Sequence, residues 1–339
     1  MSGKGQVVTT GKTMASEKST GLFFRILKKY YLICVLILAI AVFGVASDKF
    51  LTVSNLTNVF VQNAYVIVAT IGISLIMIAG GADLSVSYQI SLVSIVTCIL
   101  MLQVQLPVWL CVLLGIVTGA LLGFINGYFS NILNVHTMVV TLGTMTIYQG
   151  IAYLISNSKS YFNLPISFKA IGQRYVFGIP ICVIIMVVMV LIASFILNKT
   201  YFGRYIYAVG GNKEAARLAG INIEFISVAA FMIAGMFIAV AGIILTARTG
   251  SANAGMGGDA VFTCITGAVL GGISFAGGEG KISNVVVAVL ILGVLANGMQ
   301  LVGMGIYPQY VAKGIILLAA IGYDTYQKQI KVKKAQKAA

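Results

Sequence analysis

The chain has 339 residues, 59% of them hydrophobic and 9% charged, with a mean hydropathy of +1.01. That excludes an ordinary soluble domain, and repeated runs of about twenty apolar residues have the length needed to cross a hydrocarbon core as helix. One histidine and eight acids leave little from which to build a metal enzyme or a proton-relay pump, and the net charge of +14 lacks the aromatic-interleaved basic patch of a nucleic-acid binder; it collects at the two ends and in one central insert, as membrane topology and anionic headgroups require.

Residues 1–29 read as a cytoplasmic N-terminal tail. The basic "RILKK" before Tyr30 and the later "GVAS" resemble a secretory signal, but the apolar run is long and more such runs follow, so an uncleaved first span is expected. Ten spans are predicted near 30–47, 58–79, 85–104, 108–128, 137–156, 179–198, 225–246, 259–275, 282–303 and 309–324; the eighth and tenth are short and compatible with tilted, broken or re-entrant segments, which leaves eight or nine full spans as the alternative. Residues 30–324 thus form one transmembrane domain, interrupted by a charged segment at 199–224 and followed by a basic tail at 325–339. The expected class is an all-α polytopic membrane protein of about ten transmembrane helices. Its 38 glycines suit closely packed helices, and its five cysteines, all within apolar runs, read as small hydrophobes with no metal spacing.

Orientation follows from the basic residues. A cytoplasmic N-terminus places sixteen of the 22 lysines and arginines inside and five outside, with Lys313 left within a span. Both termini then lie in the cytoplasm.

The two halves echo each other. Asn126-Gly127 and Asn297-Gly298 are each followed, sixteen residues after the glycine, by Gly143 and Gly314, and upstream of each pair stands an acid near glycines, Asp83 and Asp259. The Asn-Gly pairs fall five spans apart, an odd offset that reverses direction and suggests an inverted internal repeat.

The charged insert "GRYIYAVGGNKEAARLAGIN" (203–222) is out of place in so apolar a chain. Gly210-Gly211 offers a sharp entry turn; Asn212 is placed as N-cap, Glu214 in the first turn, Arg217 toward the end and Gly220 as the left-handed stop. The body between is mainly alanine, which buries little area in lipid and lets another protein approach, so a docking helix for a cytoplasmic partner is expected over a helix lying on the membrane.

This segment closely resembles the cytoplasmic coupling segment of the permease subunits of bacterial simple-sugar (ribose-type) ABC importers. The resemblance continues in "GGADLSVS" (80–87), "NGYFSNILNVHTMVVTLGTMTIYQGIA" (126–152), "AVLGGISFAGGEGKI" (268–282) and "LILGVLANGMQLVGMGIYPQYVAKGIILLAA" (290–320). It implies a non-catalytic subunit that forms the path for a monosaccharide, paired with a second permease copy or paralogue. The further implied partners are a cytoplasmic ATPase and an extracytoplasmic sugar-binding protein. No cofactor is bound by the chain itself; ATP and magnesium belong to the ATPase, and the chain contains no GxxxxGK[ST] loop. The resemblance makes Gly203, Arg204, Gly210, Gly211, Asn212, Glu214, Ala215, Ala216, Arg217 and Gly220 the coupling residues. Tyr88 departs from the pattern, putting bulk where glycine or serine is usual.

Polar residues within spans are the path candidates. Lys313 reads either as a pathway or gating residue or as a lysine snorkelling to the surface. Asp83, helped by Ser85, and Asp259 read as helix caps at glycine-rich breaks. Asn63, Gln89, Asn126 and Asn297 read either as sugar contacts or as interhelical hydrogen-bond formers. His136 is placed as a cap or interface residue. Arg248, in an outward glycine-rich loop, is a candidate contact for the binding protein. The competing function is an ion-coupled secondary transporter, which shares inverted repeats but needs intramembrane acids; within the importer reading the cargo is ribose or a related sugar, with a furanosyl signalling molecule as another.

Overall fold

A computed structural model describes residues 30–338, and their side chains through residue 326. The N-terminal tail with its six basic residues lies outside the described residues. The helices, in chain order, are α1 (Tyr30–Ala46), α2 (Val53–Ile78), α3 (Val86–Leu102), α4 (Val108–Ile132), α5 (Thr137–Ser156), α6 (Ile166–Gln173) and α7 (Ile181–Lys199). They continue with α8 (Tyr201–Gly211), α9 (Lys213–Leu218), α10 (Ile223–Thr249), α11 (Ala260–Leu270), α12 (Ile282–Leu301) and α13 (Ile306–Ala338). A two-stranded hairpin, β1 (Tyr175–Val176) and β2 (Ile179–Pro180), precedes α7. Among the described residues six helices, α2, α4, α5, α7, α10 and α12, are long and apolar enough to cross a membrane. The protein is an all-α polytopic membrane protein.

The bundle is built around α10, which packs along α4, α2 and α3. Helices in lipid have no hydrophobic drive toward one another, so close packing of small residues must hold them. On α4, Gly119 and Gly123 recur at one-turn spacing; a Cβ on Gly119 would strike the Gly235 carbonyl of α10, and one on Gly123 the Phe231 carbonyl. The contact is backbone against backbone. Gly235 meets Gly119 in the same way from the other side.

The chain has two opposed ends. At one end the Tyr31 hydroxyl lies 3.4 Å from the Leu270 carbonyl, and Asn131 of α4 donates to the Glu224 carbonyl at 3.0 Å. At the other end Gln173 of α6 donates to the Arg248 carbonyl at 3.1 Å, and Tyr161 bridges to Ala252. The 27-residue α10 separates the two by about 40 Å.

Several sequence expectations change here. The eighth span, 259–275, is not a crossing helix: α11 has 11 residues, about 16 Å, and begins deep in the bundle after an irregular segment. Unsatisfied backbone at that depth is costly, and serines of α3 satisfy it. Gly257 N–H donates to the Ser91 hydroxyl at 3.0 Å and Val261 N–H to the Ser87 hydroxyl at 3.1 Å. Asp259 occupies the N-cap position of α11 but makes no capping bond, because Ser87 already serves the first turn. Gly210 and Gly211 are not an entry turn; both are helical, and the break comes at Asn212, whose φ is −159°. Arg248 is not in the glycine-rich loop but in the last turn of α10, half-buried. The tenth span does not stop at 324 but continues as helix to Ala338.

Candidate functional site

The charged insert folds as two short helices under the end of α7. Thr200 caps α8 by accepting from Gly203 N–H at 3.1 Å, and Gly203 lacks a side chain because the Ile196 and Leu197 carbonyls of α7 fill that space. The Arg204 guanidinium lies 4.2 Å from the Tyr201 ring. Tyr207 donates to the Gly280 carbonyl at 2.8 Å, and burial raises its phenol pKa, so it remains a donor.

Asn212 then caps α9, its side-chain oxygen accepting from Ala215 N–H at 3.0 Å. Glu214 and Arg217 pair at 3.5 Å across one turn on the solvent face. Gly220 ends the turn with φ +80°, the left-handed conformation glycine permits. Ala216 alone turns inward and is buried; Glu214, Ala215 and Arg217 are exposed, and Leu218 is 89% exposed. An open groove of about 440 Å³, lined by Phe202, Tyr205, Gly220, Asn222 and Phe225 among others, runs beside it.

This segment is locked to the bundle through Gly210. A Cβ there would overlap the Ile78 carbonyl at the end of α2, and Gly278 N–H donates to that same carbonyl at 2.8 Å. The end of α8, the end of α2 and the loop after α11 therefore meet at one side-chain-free point.

Four of the predicted path residues converge on a second feature. Asp83 Oδ1 accepts from the Ser85 N–H at 2.8 Å and from its hydroxyl at 2.6 Å, while Oδ2 accepts from Gln89 at 2.7 Å. Asn126 of α4 donates to the Ser85 oxygen at 2.8 Å, and its own carbonyl accepts from Thr144 of α5 at 2.6 Å. Tyr148 donates to the Leu122 carbonyl at 2.8 Å and lies 3.1 Å from the Asn126 oxygen. Asp83, Ser85, Gln89 and Asn126 are buried, so the group ties α3, α4 and α5 together out of solvent reach. Ser85 takes the N-cap position of α3 without a side-chain capping bond, and Asp83 caps no helical amide; it accepts the amide of Ser85 itself, fixing the turn that leads into α3.

Thr144 and Tyr148 were not singled out from the sequence. Their signal was a polar stripe at helical spacing along an apolar helix, Thr137, Thr141, Thr144 and Tyr148. Thr137 and Thr141 accept from the Ala82 and Leu84 amides at 2.8 and 3.1 Å, holding the chain break before α3.

The remaining candidates lie elsewhere. Asn297 exchanges amide bonds with Asn55 of α2 at 2.9 and 3.0 Å. His136 caps α5, accepting from Met138 N–H at 3.3 Å. Asn63, Arg248 and Lys313 share the lining of a cavity of about 190 Å³ with Gln62, Tyr65 and Thr263. The Lys313 ammonium lies 3.3 Å from the Thr263 hydroxyl, and the Arg248 guanidinium 5.6 Å from the Tyr65 ring. Among the described residues no cluster of His, Cys, Asp or Glu is suited to a metal.

Comparison with known proteins places this architecture. Residues 55–321 match a family described as the permease component of branched-chain amino acid transport systems. The D-allose transport system permease protein of Escherichia coli K12 is 36% identical over 319 residues, 93% of this chain and 97% of that protein. The L-arabinose permease protein of the same organism is 34% identical, covering 96% of this chain and 98% of that one. The ribose import permease protein of Haemophilus influenzae is 32% identical, covering 92% and 98%. No solved structure matches the chain. With a match over most of its length and sugar permeases aligned nearly end to end, the chain belongs to the family of simple-sugar permease components of ABC importers.

Proposed function

We propose that this chain forms the membrane path for a monosaccharide and is driven from the cytoplasm by a separate ATPase that docks on α9. The observation that carries the reading is the contrast within one segment: Glu214, Ala215 and Arg217 stand exposed on a capped six-residue helix, while Gly210 and Ala216 fix that helix to the bundle. Such a helix has little to bury by itself, yet any force on it reaches the ends of α2 and α11. ATPase closure shifts the permease between its two access states to the extent that the partner binds them with different free energy. ATP and magnesium act on that partner. The segment 199–224 then lies in the cytoplasm, as do both termini, and α6 and the β1–β2 hairpin face the side from which a binding protein delivers the sugar.

The relatives named above are permease proteins of D-allose and L-arabinose transport systems and of ribose import, and an aldose of that size is the proposed cargo here. A second permease, an identical copy or a paralogue, completes the path. The test is reconstitution of the full chain with its ATPase and binding protein in lipid vesicles. Glu214→Lys and Gly220→Pro are each expected to abolish ATPase co-purification and uptake while the permease still elutes as a single species. Uptake that proceeds without the ATPase supports an ion-coupled transporter instead.

A further inference from the structure

The cavity between α2, α10, α11, α12 and α13 sits at the end of the bundle opposite α9, and its lining is unusual for a membrane protein. Arg248 and Lys313 bring two cationic groups into a space whose wall joins the polar Gln62, Asn63, Tyr65 and Thr263 to apolar residues such as Val66 and Leu292. Cations at such depth are expensive and mark a path or a partner. Lys313 is held by Thr263, and Asp259 lies within electrostatic reach on the other side of α11's first turn, in an adjoining cavity of about 180 Å³. Arg248 has no facing carboxylate in the chamber. Its Nε is buried and has no hydrogen-bond partner among the described residues. A buried donor without a partner carries an unmet cost, so little holds the guanidinium against turning toward an acceptor in the chamber.

Gly293 of α12 has no side chain because the Asn63 amide occupies that place, which seats Asn63 in the chamber wall. The space of about 190 Å³ equals the displacement of about six waters, the scale of one furanose or pyranose ring and too small for a disaccharide. Its polar lining is rich in donors: a guanidinium, an ammonium, two amides and two hydroxyls. Hydroxyl and ring oxygens of an aldose accept from such a set, and the Asn63 and Gln62 carbonyls accept its protons in return.

The geometry points to this chamber as a transient sugar-holding site within the permease, with Arg248 as the principal donor and Lys313, Asn63 and Gln62 orienting the ring. It rests on the reading of the chain as a sugar permease with α9 in the cytoplasm, since that orientation opens the chamber on the delivery side. The site takes one neutral aldose at a time, weakly, so that it is released onward.

Cysteine accessibility tests it in the full chain held in lipid nanodiscs. Thr263→Cys is labelled with a hydrophilic thiol reagent, the wild-type protein giving the background from its own cysteines, in the presence of a panel of neutral aldopentoses and aldohexoses at millimolar concentration. At least one aldose is expected to slow labelling about tenfold, with mannitol and sucrose inert. Arg248→Gln is expected to remove that protection, and Arg248→Lys to keep part of it; in the reconstituted importer Arg248→Gln lowers uptake about tenfold or more while ATPase co-purification is unchanged. A thiol at position 263 that the reagent never reaches, labelling indifferent to every aldose, or protection that survives Arg248→Gln each overturns the assignment. Failure of the ATPase to bind the wild-type chain is a separate result and removes the importer reading itself.

Discussion

The carbonyl oxygen of Ile78 occupies the place where a side chain on Gly210 would stand. Neighbouring Gly211, one residue nearer the docking helix, has open space around the same position. The pair therefore separates two meanings of glycine, absence of a side chain and weakness of a helix. Gly210→Ala forces α8 away from α2 and is expected to cost about 1–3 kcal/mol and to uncouple ATP hydrolysis from uptake. Gly211→Ala strengthens the end of α8 by about 0.5–1 kcal/mol and leaves uptake intact. Thermal unfolding in nanodiscs, with ATPase rate and uptake measured together, distinguishes them. Equal behaviour of the two variants refutes the glycine contact as the link.

The cap of α9 makes a second prediction. Asn212→Ala removes the acceptor of the Ala215 amide and is expected to destabilise the six-residue helix by about 1 kcal/mol. Amide exchange at Ala215–Leu218 should accelerate about fivefold while exchange in α10 stays unchanged. Asn212→Asp keeps the acceptor and is expected to restore both protection and ATPase binding.

The same reasoning explains which parts of the fold were legible in the sequence. Helix starts and stops are local, so Asn212, Gly220 and His136 could be placed from their neighbours, and apolar run lengths placed most spans. A Gly-Gly pair by itself suggests a turn at Gly210, but its real constraint is Ile78, far away in sequence. The glycines after Arg248 look like a loop, whereas α10 runs on to Thr249 and holds the guanidinium, half-buried, beside Tyr65. The short eighth segment shows the limit most clearly. Its length alone hinted at a half-helix, but Ser87 and Ser91, which make the broken backbone tolerable, lie on another helix and carry no sequence mark of that task.

The α4–α10 crossing yields a third prediction. Gly123→Ala places a methyl group against the Phe231 backbone and is expected to lower stability by about 1–3 kcal/mol. Gly143→Ala, on α5 with nothing near its Cβ position, is expected to be neutral or mildly stabilising. Chemical unfolding of both variants in mixed micelles gives the comparison, and a stable Gly123→Ala protein would show that the two helices can part at little cost.

Asn126 and Asn297 look alike in sequence, each preceding a glycine, yet their partners differ. Asn297 meets a single amide, Asn55, so replacing the two together leaves neither side chain unpaired and removes only the further bond from Asn55 to the Phe50 carbonyl. The double change Asn55→Leu with Asn297→Leu is therefore expected to be less harmful than the sum of its parts, with a coupling of about 0.6 kcal/mol. Asn126 is bonded to Ser85 and Thr144 and, through Ser85, supports Asp83. Asn126→Leu leaves the Thr144 hydroxyl only the Thr141 carbonyl at 3.3 Å, and leaves Ser85 and Asp83 to share the Gln89 amide, all out of water's reach. Its expected cost is about 1–3 kcal/mol, larger than that of Asn297→Leu, and no single second substitution can recover it. Unfolding midpoints of the four variants decide the order, and a smaller loss at Asn126 than at Asn297 would mean that water enters the Asp83 network and satisfies it.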